Sequence, residues 1–261
     1  MIDLWNNKKW TPMLLNQMDK SFNSNDHIFE LKYDGIRAII YVSPKEIKIY
    51  NRKKQDITNK YPELYSIKDI VKRKTIFDGE RIIMQNGYPS FSSLQERIHI
   101  KNKSKILYLS KIKPAMFICF DILYDNKNLI EYSLINRKKI LNKYNDNDYF
   151  IKSKYIEKEG INLFNTIKKF NLEGIVAKRK NSKYEINKRT SYWLKIKNIK
   201  EDNFYICGYN KNKSKDTISI ILGEYKNKLL YYVGKVVMSK KHELYNIIIN
   251  EKIINKSSLK D

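Results

Sequence analysis

Lys32 closes an apolar stretch and is followed at once by an acid–glycine turn and an arginine, in the order Glu30-Leu31-Lys32-Tyr33-Asp34-Gly35-Ile36-Arg37. A lysine amine in such a place can serve as a nucleophile if it sheds its proton. From the usual pKa of about 10.4, neutrality near pH 7 requires a fall of about 3, or about 4 kcal/mol. Nearby cations and partial burial push in that direction. A hairpin here would bring Lys32 close to Arg37, with Gly35 taking a backbone conformation that β-carbon residues resist. The plainer reading is an exposed hairpin lysine in a lysine-rich chain.

Four later clusters add carboxylates, an aromatic and two more lysines. Ile76-Phe77-Asp78-Gly79-Glu80 places an acid just past a tight turn. Phe117-Ile118-Cys119-Phe120-Asp121-Ile122-Leu123 sets an aromatic beside an acid in an apolar strand. Glu173-Gly174-Ile175-Val176-Ala177-Lys178 opens a strand with an acid. In Trp193-Leu194-Lys195-Ile196-Lys197 the two lysines share one strand face, because their spacing is two. Taken singly, these are an ordinary turn, a core aromatic, a strand start and an amphipathic edge strand.

The elements that must position them are mostly short strands rich in Ile, Val, Tyr and Phe. They are expected at Ile28–Leu31, Arg37–Val42, Glu46–Asn51, Thr75–Met84, Ala115–Leu123, Gly174–Lys180 and Tyr192–Asn198. Helical spacing runs over Ser133–Tyr144 and Ile161–Phe170, and Ser92-Ser93-Leu94-Gln95 has the form of a capping box. Strands and helices mix without regular alternation, which predicts an α+β fold on antiparallel sheet. After Lys200 the texture changes. Strands at Phe204–Gly208, Thr217–Leu222 and Leu229–Val237, a turn near Asn227 and a helix at His242–Ile249 suggest part of a small β-barrel. The boundary is set near residue 200.

The chain has 261 residues, 42% apolar and 13% aromatic, enough to bury a core and to exclude wholesale disorder. It contains no apolar run of membrane-spanning length and no secretory signal pattern, so a cytoplasmic protein is expected. Two cysteines, Cys119 and Cys207, exclude a disulfide framework and a cysteine zinc site. The net charge of +24 favours a polyanionic partner, nucleic acid first. Only eight of the 52 basic residues are arginines, and a lysine-rich composition also follows from AT-rich coding. The arginines are therefore the more telling cations, because the guanidinium fork suits phosphate.

In this order the clusters resemble the motif series of the covalent nucleotidyltransferases, and the chain resembles an ATP-dependent DNA ligase from about Trp10 to Val237. Lys32 to Arg37 matches Lys-x-Asp-Gly-x-Arg. The segments Phe77–Glu80, Glu173–Lys178 and Trp193–Lys197 match later motifs nearly letter for letter. The likeness is greatest to compact bacterial end-joining ligases such as the ligase module of ligase D. Capping guanylyltransferases share the first motif but typically carry Asp-Gly where this chain has Glu173-Gly174. The resemblance implies an antiparallel-sheet nucleotidyltransferase (ATP-grasp-like) domain over residues 1–200, then a short OB-like β-barrel, whole or partial, over 201–261.

It further implies a mechanism. Lys32 attacks the α-phosphorus of ATP and carries AMP, which passes to the 5′-phosphate at a nick before the 3′-hydroxyl seals the strand. Glu30 would sit beside the adenine, and Phe120 would stack on it. Glu80 and Glu173 would serve the ribose, Mg²⁺ and its waters. Lys195 and Lys197 would hold the α-phosphate. Arg37, Arg52 and Arg189 fall where the family contacts phosphate or nucleotide. The match at Arg52 is looser, since Asn51-Arg52-Lys53-Lys54 replaces the usual Ser-Arg-Asn-Gly. The implied setting is bacterial or phage DNA repair at the nucleoid, by a monomer acting on nicked duplex, with Ku-like or polymerase partners as candidates.

Two departures stand out. The basic motif that orients pyrophosphate in the family is not found between Val237 and Asp261, and no separate DNA-clamping domain precedes the catalytic one. The competing readings are an RNA ligase or capping-type guanylyltransferase, and a non-catalytic nucleic-acid-binding relative.

Overall fold

The computed structural model describes residues 3–199, 201–212, 216–252 and 259–260. The chain divides into two compact units, Met1–Ile199 and Lys200–Asp261.

The first unit is built on two sheets. One has the order Leu14–Gln17, Arg189–Lys197, Gly174–Arg179, Ser24–Leu31, Tyr155–Lys158, antiparallel except for the parallel first pair. The other runs Ile47–Asn51, Ile36–Val42, Thr75–Gln85, Ala115–Asp125, Phe150–Lys152, with Tyr88–Pro89 paired onto Thr75–Gln85. Alternation along each strand decides which layer each side chain enters. Ile39 and Tyr41 join Ile28, Val176 and Trp193 in a core formed between the two sheets. Their neighbours Ala38, Ile40 and Val42 face a second core with Phe77, Phe117 and Phe150. Phe29, Ile175 and Ala177 turn the other way, onto Phe164 and Ile167 of the helix Gly160–Lys169.

The first motif is not a paired hairpin. Ser24–Leu31 and Ile36–Val42 belong to different sheets, so Lys32–Gly35 is the crossing between them. That places Lys32 at the seam. The helix expected from the capping box starts two residues earlier, at Phe91–Ile98. Its cap is Ser90, whose Oγ accepts from the Ser93 amide at 3.3 Å. The mixed α+β character holds. The helix Lys103–Ile112 and the short strands Leu14–Gln17, Phe150–Lys152 and Tyr155–Lys158 lie outside the runs read from sequence.

In the second unit, Tyr205–Lys211, Thr217–Lys226, Leu229–Ser239 and Leu259–Lys260 form one four-stranded sheet. Asn227 and Lys228, both at positive φ, make the tight turn. Ile248 of the helix Tyr245–Asn250 packs on Ile218 and Ile220. Among the described residues these strands do not close into a barrel.

Candidate active site

Lys32 is held by its backbone: its amide donates to the Gly174 carbonyl at 2.9 Å. Gly174 has φ +149°, and a Cβ there would lie 2.2 Å from the Ile196 carbonyl oxygen. Only glycine lets this strand start so close to its neighbour. The close start fixes Glu173 beside Lys32, with Oε1 2.5 Å from Nζ. The lysine side chain is 22% exposed and the glutamate 25%. Gly35 needs glycine for a different reason than expected. Its φ is not left-handed, but a Cβ would come within 2.3 Å of the Arg81 carbonyl oxygen.

A cavity of about 440 Å³ opens at this seam. It gathers Glu30, Lys32, Arg37, Arg52, Glu80, Phe120, Arg189, Lys195 and Lys197, residues drawn from five separate strands, the sheet crossing and a turn. Of the residues singled out in the sequence, only Glu173 is not on its wall, and Glu173 touches Lys32 directly. Arg52 and Arg189 are exposed at the rim, and Arg189 also donates to the Leu15 carbonyl. Partial burial lowers the Lys195 ammonium, and Lys197, Lys32 and Arg189 lower it further. The site is a cationic cluster that gains by receiving phosphate. Burial pushes the Glu80 carboxyl up to about 7, against the lowering pull of Arg37 and Lys32.

The floor is a buried charge cluster. Glu30 is 2% exposed, with Oε2 2.9 Å from Lys178 Nζ and 3.0 Å from Ser153 Oγ, which donates to it. Its Oε1 is 2.5 Å from Lys138 Nζ, as an ion pair rather than a well-directed hydrogen bond. Burial would raise this carboxyl, but the two lysines together hold it below its ordinary range. Burial brings Lys178 down to about 8, despite Glu30. The Lys178 ammonium also stands 4.3 Å from the Phe120 ring centroid and 4.2 Å from that of Trp193. The expected glutamate therefore reaches the cavity already holding two cations.

Arg37 is similarly committed. Nε and Nη2 bond the two oxygens of Asp78 at 2.9 and 2.6 Å, and Nη1 donates to the Met13 carbonyl at 2.7 Å. Tyr184 donates its hydroxyl to the same Asp78 at 2.7 Å. The guanidinium lies 5.3 Å from the Phe120 ring. Its visible work is to brace Asp78 and Phe120.

Sequence reasoning passed over Lys178, Asp78, Lys138, Tyr184 and Ser153. The first two lie inside quoted motifs and could have been found there. Lys138 and Tyr184 carry no local signal, since only the tertiary fold brings them in.

Among the described residues no cluster of three or more His, Cys, Asp or Glu forms a preassembled metal cage. Two glutamates near the seam still suit Mg²⁺, which takes one or two carboxylates and fills its shell with water and substrate phosphate. Glu173 Oε2 is buried without a hydrogen-bond partner, an acceptor left open for such an ion or its water.

Residues 12–197 match the family described as the ATP dependent DNA ligase domain. A SPbeta prophage-derived DNA ligase-like protein, LigB of Bacillus subtilis (strain 168), is 35% identical over 212 residues, covering 80% of this chain and 75% of that protein. The multifunctional non-homologous end joining protein LigD of Mycolicibacterium smegmatis (strain ATCC 700084 / mc(2)155) is 26% identical over 87% of this chain, which spans only 29% of LigD. In fold, the chain superposes on mycobacterial DNA ligase D complexed with ATP and MES with a TM-score of 0.66, at 23% identity, covering 97% of this chain and 81% of that one. The bacteriophage T7 ATP-dependent DNA ligase gives a TM-score of 0.53 at 16% identity, covering 85% and 80%.

Proposed function

This chain belongs to the ATP-dependent DNA ligase family, and from that membership we propose that Lys32 carries AMP between ATP and a DNA end. The Nζ lone pair attacks the α-phosphorus and a nitrogen–phosphorus bond forms. The bond to pyrophosphate breaks, and pyrophosphate leaves. The adenylate then passes to the 5′-phosphate at a nick, and the 3′-hydroxyl displaces AMP to seal the strand. Each step is phosphoryl transfer, so placement and charge neutralisation supply most of the rate.

The observation that carries this reading is the Lys32–Glu173 pair at a cavity lined by lysines and arginines, with the Glu30–Lys178 charge cluster and the Phe120 ring at its floor. Lys195 and Lys197 hold the α-phosphate, with Arg52 and Arg189 at the rim for the outer phosphates. Phe120 and Val176 take the faces of the base, and Glu30 with Lys178 meets its edge. Arg37 acts through Asp78 and Phe120. Glu80 and Glu173 hold Mg²⁺, which when bound neutralises phosphate charge. We read residues 1–200 as the adenylation domain and 201–261 as an OB-like unit that follows duplex DNA. We propose a setting in DNA repair, as a monomer, with Ku-like or polymerase partners; the end joining named for LigD supports this reading. Among the described residues no helix is long and apolar enough to cross a membrane.

The test is incubation with α-labelled ATP or GTP and Mg²⁺, then with nicked DNA or nicked RNA duplex. An acid-labile adduct is expected from ATP, absent in Lys32→Ala, and it should discharge on nicked DNA. Full sealing by Lys32→Ala would refute the nucleophile.

A further inference from the structure

Lys32 also lines a second groove, of about 540 Å³, that none of the roles above uses. Beside Lys32, its walls come from the neighbouring residues of the sheet crossing, from Tyr88 and Pro89, and from Lys169 to Glu173. Two aromatic rings stand open to solvent there, Tyr88 at 52% and Phe170 at 57% exposure. Single exposed rings are common on protein surfaces. These two are held on rigid supports. Tyr88 follows the Asn86-Gly87 turn, with both turn residues at positive φ, and the Ser90 amide closes the hairpin on Ile83 at 2.8 Å. Phe170 ends the helix Gly160–Lys169. Its loop is tied by the Asn171 amide to Lys168, by Leu172 to Ile167, and by Asn198 Nδ2 to the Leu172 carbonyl, each at 3.1 Å.

The charges of this groove nearly cancel. Lys32 pairs with Glu173, and Lys169 and Asp34 on the walls add one charge of each sign. What the groove offers is flat apolar surface reaching to the reacting amine, rather than a phosphate track. We propose that it receives unpaired nucleotides of the strand being joined, their bases against Tyr88 and Phe170. The substrate class then extends to ends with a short unpaired stretch. A base inside an intact duplex has both faces covered, whereas an unpaired base has a face to give. Stacking on an aromatic side chain strengthens binding by about fivefold or more per base. Lys169 is placed to meet the connecting phosphate.

The proposal rests on the ligase reading, so its test has one arm that needs no adduct. Sealing is compared for a fully paired nick and for an end with about three unpaired nucleotides, in wild type, Tyr88→Ala/Phe170→Ala and Phe170→Trp. Binding of a fluorescent oligothymidylate decamer is followed across a salt series. The double variant is expected to lower the ratio of unpaired-end to paired-nick sealing at least fivefold. It should weaken decamer binding similarly with an unchanged salt slope, while Phe170→Trp retains both. Loss of adduct and sealing in wild type, with decamer binding still dependent on the rings, would sink the ligase reading alone. Decamer binding indifferent to both rings, or equal loss on paired and unpaired ends, overturns the groove proposal, including where the groove serves a protein segment instead.

Discussion

Lys32 Nζ and Glu173 Oε1 lie 2.5 Å apart, and each side chain keeps between a fifth and a quarter of its surface in solvent. A partly exposed pair of this kind adds little to stability, typically under about 1 kcal/mol. Its value lies in position, because it holds the amine where the cavity opens. On the proposed mechanism, Glu173→Gln is expected to slow lysyl-AMP formation at least tenfold, since it removes the carboxylate assigned there to the metal beside the reacting phosphate. The urea midpoint should hardly move. Single-turnover adduct formation and an unfolding curve measure the two separately. A large stability loss with normal adduct formation would make the pair structural.

Glu80 supplies a pH test that needs no catalysis. Its folded pKa is pushed up to about 7 by burial, above the unfolded value near 4.5. The folded chain thus binds a proton more tightly than the unfolded chain between those limits. By linkage, this group makes the fold less stable as pH rises from about 4.5 to 7, with no further change above. The total is at most about 3 kcal/mol. Glu80→Gln should remove that slope and be more stable than wild type at pH 8, with the gap closing toward pH 5. Parallel urea curves for the two proteins at every pH would contradict it.

Glu30, Lys138 and Lys178 put two cations on one buried carboxylate, and an asymmetry follows. Removing the carboxylate leaves two ammoniums buried without a counter-charge, whereas removing Lys138 leaves a balanced pair. Glu30→Gln should cost about 3–5 kcal/mol, the range for breaking a buried ion pair. Lys138→Met, which keeps the stem volume, should cost clearly less. Chemical denaturation of both variants decides it. Equal losses would mean that Lys138 rather than the carboxylate anchors the cluster.

Much of this site could be read from local residue order because its members lie in short motifs within strands or at their ends. Lys32, Glu80, Phe120, Glu173 and Lys195 each carry their own punctuation: a glycine neighbour, a flanking acid or an alternating strand. The sheet crossing at Lys32–Gly35 was not legible, since a turn between two β-like runs looks the same whether the strands pair or part. Arg37 does line the cavity, but that its fork also grips Asp78, 41 residues away, has no local signal. Lys138 and Tyr184 had no pattern of their own. The short strands Leu14–Gln17 and Phe150–Lys152 form only because a neighbouring strand offers an edge.

Arginine is scarce in this chain, and three of the eight occupy buried forks that lysine could not fill. Arg37, Arg97 and Arg137 each grip a carboxylate through two guanidinium nitrogens, with side chains 10%, 3% and 0% exposed. Lysine has one nitrogen and cannot make that fork. Arg37→Lys should therefore leave part of Asp78, and the Met13 carbonyl, unsatisfied, at a cost of about 2–4 kcal/mol. It should also loosen Phe120, so ATP binding weakens beyond what the retained charge predicts. Arg189→Lys keeps its charge at an exposed site and should change stability by under about 0.5 kcal/mol. Unfolding curves and ATP titrations on the two variants test the contrast. Should Arg37→Lys prove as stable as Arg189→Lys, the bidentate brace is not what holds the cavity floor in place.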